Sequence, residues 1–142
     1  MALSSDYRAL LARHLAAENQ HRLDDVLATL TPDCVFRDFA LAQSFRGHEG
    51  AGRYYRLWWD AFGHVVAREK LHEAGERSCI AEVRFQGRHD GPFLGIPATG
   101  RAIDLPIAIV VDLGETLMSG ERFYWDMATL LRQIGRTSLP DV

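Results

Sequence analysis

The segment Ser78-Cys79-Ile80-Ala81-Glu82-Val83-Arg84-Phe85-Gln86-Gly87-Arg88-His89 alternates with a period of two. A strand sends successive side chains to opposite faces. Cys79, Ala81, Val83, Phe85, Gly87 and His89 therefore form an inward row, with His89 at its end, and Ile80, Glu82, Arg84, Gln86 and Arg88 form the other face. The same period holds from Gly63 to Asp126, which makes this half of the chain sheet. Strands are expected over His64 to Glu73, Ser78 to His89, Ala102 to Leu113 and Thr116 to Trp125, parted by Gly75, the Gly91 to Gly100 segment and Gly114. They exceed the usual ~5 to 6 residues, so strong bending is expected. In the last strand Glu121, Phe123 and Trp125 share one parity, and Arg122, Tyr124 and Asp126 share the other.

Upstream of Gly63 the period is near four. Leu10, Leu11, His14, Leu15 and Ala17 recur at helical spacing, with Ser4, Ser5 or Asp6 available as N-cap. A second helix is expected from His21 to Leu30, ended by Thr31-Pro32. Cys34 to Ala40 is β-branched and aromatic, a strand candidate, and Gln43 to Phe45 is a short edge. His48 to Phe62 carries Tyr54, Tyr55, Leu57, Trp58, Trp59 and Phe62 on a broad apolar band, a third helix. A closing helical turn runs from Met127 to Ile134 and stops at Gly135. Helices first and strands afterwards is the α+β pattern: a cone-shaped curved antiparallel sheet covered by three N-terminal helices, in one domain over 1–142. The interior of such a cone is the natural place for a ligand pocket.

Composition narrows the function. With 142 residues, 47% hydrophobic and 25% charged, the chain has the balance of a globular protein with one core. Sixteen Lys plus Arg against 19 Asp plus Glu leave a net charge of -3, with no electrostatic footprint for nucleic acid. No run approaches the ~18 apolar residues of a membrane span. Cys34 and Cys79 sit in apolar contexts, as small buried hydrophobes rather than a disulfide, which fits a cytoplasmic protein. No His-Glu-x-x-His pattern or Cys/His cluster marks a metal site, and no phosphate loop, dinucleotide fingerprint or nucleophile elbow occurs.

Two blocks carry a resemblance. The run Phe85-Gln86-Gly87-Arg88-His89-Asp90-Gly91-Pro92-Phe93-Leu94-Gly95-Ile96-Pro97-Ala98-Thr99-Gly100-Arg101 resembles the strand-and-loop signature of the SnoaL-like polyketide cyclases. Glu121-Arg122-Phe123-Tyr124-Trp125-Asp126, followed by Leu130-Leu131-Arg132-Gln133-Ile134-Gly135, resembles that family's C-terminal block. The resemblance implies the nuclear-transport-factor-like cone, a homodimer formed through the outer sheet face, and intramolecular aldol condensation without metal or organic cofactor. It puts Asp126 in the base position and makes His89 the donor to the developing oxyanion. Enclosure in an apolar cavity would raise the Asp126 pKa toward a useful value. Tyr124, Arg122, Trp58, Phe85, Phe93 and Asp38 are the expected contacts to a hydrophobic or aromatic small molecule.

Each residue has a structural competitor. Asp126 stands where a strand meets a helix and is a good N-cap. His89 can be a satisfied strand-end histidine, Arg122 and Asp38 can pair with neighbouring charges, and Tyr124 can be wall. Of Trp58 and Trp59, about 100° apart on a helix, one faces the cavity. The Phe93, Leu94 and Ile96 loop is either a lip over the cone or a dimer contact. Gly87 stands where many family members carry a larger polar side chain. Alternative activities on this cone are a ketosteroid-isomerase-like or epoxide-hydrolase-like enzyme and a non-catalytic module for a lipophilic ligand. An epoxide-hydrolase set of Arg88, Asp90 and Asp126 is opposed by parity, which sets Arg88 on the face opposite His89.

Overall fold

The second half of the chain builds most of the sheet, and the helices are laid across its concave side. The computed structural model describes residues 2–140. In chain order these form α1 (Ser5–Asn19), α2 (Leu23–Leu27), β1 (Leu30–Asp38), β2 (Gln43–Arg46), α3 (Gly47–Phe62), β3 (Val65–Glu73), β4 (Ser78–Arg88), β5 (Ala102–Leu113), β6 (Met118–Tyr124) and α4 (Met127–Gln133). The sheet order is β2-β1-β6-β5-β4-β3, unclosed, with β2 and β3 as its edges. This is the expected α+β cone. The sheet is mixed rather than wholly antiparallel, because β1 runs parallel to β6 while every other pair is antiparallel.

Two boundaries moved for identifiable reasons. The second helix closes at Leu27, and the chain from Leu30 is already strand. Pro32 has no N–H to give a ladder. It falls where the β1/β6 register shifts between Leu30 and Val35, so the strand passes through the proline at an irregularity. The last strand is shorter than expected, Met118 to Tyr124, and its pairing with β5 slips between Asp112 and Leu113. That bulge brings Met118 and Glu121, three residues apart, onto the same concave face.

The core joins α3 to the sheet. Phe36 of β1 meets Tyr54, Tyr55 and Phe123 edge-on, with ring centroids 5.8, 5.6 and 5.6 Å apart. Gly63, at φ 53°, ends α3 with its N–H donating to the Trp59 carbonyl. The helix end then lies against the sheet so closely that a Cβ on Gly87 would sit 2.5 Å from the Phe62 carbonyl oxygen. A larger polar side chain at this position cannot fit beside that backbone. Close by, at the start of β3, Asn19 clamps α1 to that strand. Its Oδ1 accepts from Val66 N at 2.7 Å and its Nδ2 donates to Val66 O at 3.0 Å. Among the described residues no helix is long and apolar enough to cross a membrane.

Candidate active site

Helix α1 turns Leu10, Leu11, His14, Ala17 and Glu18 toward the sheet. Between it and the concave face lies a cavity of about 50 Å³, walled by side chains including Leu11, Leu15, Val66, Leu71, Val83 and Ile109. Three buried ionisable side chains, His14, Glu18 and Glu121, face this mostly apolar space, and the exposed Arg68 lines it as well. Burying charge is costly unless partners are supplied. Here they are. His14 Nε2 stands 3.0 Å from Glu121 Oε1 and 3.0 Å from the Tyr55 hydroxyl. Its Nδ1 lies 2.7 Å from Thr29 Oγ1, and Glu18 Oε2 lies 3.2 Å from His64 Nε2.

The hydrogen bonds determine where the protons sit. Thr29 donates its hydroxyl proton to the Val26 carbonyl at 2.6 Å, so it offers only a lone pair to His14. His14 Nδ1 must therefore carry a hydrogen. A neutral ring of that tautomer would present a bare Nε2 to Glu121, lone pair against carboxylate. The contact is favourable only when a further proton lies between them, as imidazolium and carboxylate or as imidazole and carboxylic acid. Burial acts to lower the His14 pKa, but the hydrogen bond and charge of Glu121 and the charge of Glu18 outweigh it, and the net shift is upward. The pair thus holds one exchangeable proton inside an apolar cavity.

The sequence model of the SnoaL-like polyketide cyclases matches residues 8–134. The chain belongs to this family. Its fold is similar to that of a protein from Jannaschia sp. CCS1 proposed to be a SnoaL-like polyketide cyclase, with a TM-score of 0.84 at 22% identity over 99% of this chain and 97% of that one. TsrD from Streptomyces laurentii is 27% identical at a TM-score of 0.78, over 92% of this chain and 96% of TsrD. AclR from Streptomyces galilaeus, proposed to be a hydroxylase, gives 0.79 at 19% identity, over 97% and 89% of the two chains. No curated protein matches the sequence.

In this SnoaL-like chain the residues expected from the two blocks fall elsewhere. Asp126 is exposed and is the N-cap of α4, its carboxylate accepting from Ala128 N, Thr129 N and the Thr129 hydroxyl. The Thr129 hydroxyl and the two amides hold it below the ordinary aspartate range, opposite to the upward shift that a base needs. The expectation of an enclosed, basic Asp126 is therefore corrected. A free helix N-terminus supplies those donors, and the strand-to-helix junction delivers the carboxylate to them. Arg122 and Tyr124 are on the convex face, also against expectation. Arg122 reaches Asp112 at 3.5 Å, and Tyr124 stacks on Phe39 with centroids 4.6 Å apart.

The other expected residues are internal and mutually packed. Trp58 is the buried one of the two tryptophans, against Phe85 and Phe93 at 5.4 and 5.3 Å, while Trp59 stacks on His21. Phe93 and Ile96 are bridged to each other and buried, so this loop is a plug seated on Trp58 and Phe62. Asp38 is fully buried and engaged three times, by Tyr54 OH at 2.6 Å, Trp125 Nε1 at 2.8 Å and Leu41 N at 2.9 Å. His89 is buried beside Phe62, its Nδ1 3.0 Å from Thr99 Oγ1 and accepting from Thr99 N, and burial lowers its pKa. None of the eight expected residues lines the cavity beneath α1. The residues that do, His14 and Glu121, were visible in outline, since His14 lies on the apolar stripe of α1 and Glu121 shares parity with Phe123 and Trp125. No group of three or more His, Cys, Asp or Glu among the described residues is arranged to hold a metal ion.

Proposed function

We propose that this SnoaL-like protein is a cyclase-like acid-base enzyme acting on an apolar, carbonyl-containing small molecule, with Glu121 as base and His14 as acid. The observation that carries this reading is the buried His14–Glu121 contact of 3.0 Å in the wall of a mostly apolar cavity. Glu121 is placed to accept a proton from a substrate in the cavity, and His14 beside it is placed to give one. In the forward step the bond between the substrate α-carbon and its proton breaks and the proton goes to Glu121. The electron pair left behind forms an enolate, which attacks a second carbonyl carbon in the same molecule. The alkoxide so formed takes the His14 proton, and transfer from Glu121 to His14 restores the starting state. Thr29 holds the ring orientation throughout, and Tyr55 gives Nε2 a second hydrogen-bonding neighbour.

The first half of this cycle is testable without the natural substrate. Cyclopentanone or cyclohexanone in deuterated buffer should exchange its α-protons faster in the presence of protein, followed by proton NMR. Glu121→Gln should reduce that acceleration roughly 10²- to 10⁴-fold, the usual contribution of a positioned acid or base. Acceleration that survives Glu121→Gln unchanged would sink the assignment. Family resemblance also supports a homodimer through the convex sheet face, where Tyr124 and Phe39 are more than 40% exposed. Sedimentation equilibrium showing a monomer would refute that part.

A further inference from the structure

Arg68 is a cation on the concave face of β3 and part of the cavity wall. A bulge puts it there. Arg68 pairs with Val83 and Lys70 with Glu82, so Glu69 is the extra residue, and both Arg68 and Leu71 face inward although three positions apart. The acids around it are committed elsewhere. Glu69 pairs with Arg84 at 2.6 Å, Glu73 with Arg8, and Glu82 with His72 at 2.5 Å, while Glu18 and Glu121 face His64 and His14. Among the described residues Arg68 has no ion pair and no side-chain hydrogen bond.

An exposed guanidinium at the mouth of a mostly apolar cavity recognises an amphipathic ligand, apolar at one end and anionic at the other. We infer that the cavity takes a monocarboxylic acid, its carboxylate on Arg68 and its short apolar body reaching inward toward Glu121. A carboxylate is favoured over a phosphate by charge. Glu18 and Glu121 also face the cavity, so a dianionic phosphate would meet about twice the repulsion that a monocarboxylate meets. The volume of about 50 Å³ sets the body at a few carbons. Combined with the proposed acid-base chemistry, on which only this last step rests, the substrate class is a small diketo acid, one carbonyl beside the carbon that loses its proton and the other as acceptor. The carboxylate preference itself rests on Arg68.

The test uses butanoate, hexanoate and octanoate, each with its methyl ester as the uncharged match. Binding is followed by calorimetry and by methyl shifts of Leu11, Val66 and Ile109. Hexanoate should bind at least tenfold tighter than methyl hexanoate and shift the cavity methyls. Arg68→Gln should remove that preference, and Arg68→Lys should retain part of it, both variants keeping the wild-type circular dichroism spectrum because the side chain is exposed. Equal affinity of acid and ester in the wild type, a preference that survives Arg68→Gln, or shifts confined to other surfaces would overturn the inference. Its failure is separable from failure of the proposed reaction, because exchange of neutral ketones depends on Glu121 and not on Arg68.

Discussion

His14 and His89 are both sealed inside the cone, at opposite ends of the concave face, yet their surroundings make them chemically different. His14 meets a carboxylate at 3.0 Å, a second one at 3.8 Å, and an apolar cavity. His89 meets a threonine and the tilted ring of Phe62. Burial acts the same way on both rings, disfavouring the charged form, and only the first has charges enough to reverse it. The difference teaches that burial lowers a histidine's pKa in this fold unless carboxylates face the ring closely enough to reverse it. The end that carries the first family block is instead a packed plug, with Phe93, Trp58 and Phe62 in mutual contact.

The largest effect that could break this contrast is on turnover. Glu121→Gln and His14→Gln should each remove nearly all protein-dependent exchange, whereas Asp126→Asn and His89→Gln should leave it within a few-fold of wild type. The reverse ranking, read from the same NMR rates, would return the chemistry to the plugged end. On stability the order of the two ends inverts. Phe93 is 1% exposed and wedged between Trp58 and Phe62. Phe93→Ala should cost about 3–5 kcal/mol in chemical denaturation, as large-to-small core changes do. The His14 titration should hardly move in that variant if the two ends are independent.

Much of this is legible in the sequence, and what is not shares a cause. Alternation along Ser78 to Arg88 marks that strand and its inward face, and the run Ala102 to Leu113 marks a second strand, because each strand's burial is written in its own residues. That β1 lies parallel to β6 was not, since partner choice between distant strands leaves no local mark. Pro32 hid the start of β1 by resembling a helix stop. Glu121 carried its signal in parity with Phe123, yet beside Arg122 it reads as half of a surface pair, and the bulge that puts Met118 on the same face breaks simple alternation. Asp126 went the other way. A motif gives a residue's place along the chain but not the direction of its carboxylate, and an Asp preceding Met127-Ala128-Thr129 is already a helix cap in the sequence.

A smaller effect, and a sharper one, lies in pH. His14 has a folded pKa above its ordinary 6.5, so the folded state binds its proton more tightly than the unfolded chain. That stabilisation is complete below about pH 6.5 and is lost as pH rises through the folded value. His89 has a folded pKa below 6.5, so its contribution is present above that pH and is lost as pH falls through its own folded value. Melting temperature should therefore decline on both sides of neutrality, with His14→Gln flattening the alkaline limb and His89→Gln the acid limb. Imidazole resonances in the wild type give the same reading without mutation, His14 titrating above free histidine and His89 below it. Both rings titrating on the same side would remove the distinction drawn between the two ends.

The smallest expected change is at Asp126, and it separates capping from catalysis by the choice of replacement. Asparagine keeps a side-chain oxygen for the Ala128 and Thr129 amides but has no basicity, whereas alanine offers neither. A cap therefore predicts that Asp126→Ala lowers the melting temperature and Asp126→Asn restores most of the loss, while ketone exchange stays near wild type in both. A catalytic base predicts the opposite pairing, with normal stability and abolished exchange in Asp126→Asn. Acid dependence gives an independent handle on the same carboxylate. Its pKa is depressed by the Thr129 hydroxyl and the two amides, so the capping stability is present above the unfolded aspartate value and fades as pH falls through the folded one. In Asp126→Asn that acid-side loss should disappear while the cap remains, an outcome a base in an enclosed cavity would not produce.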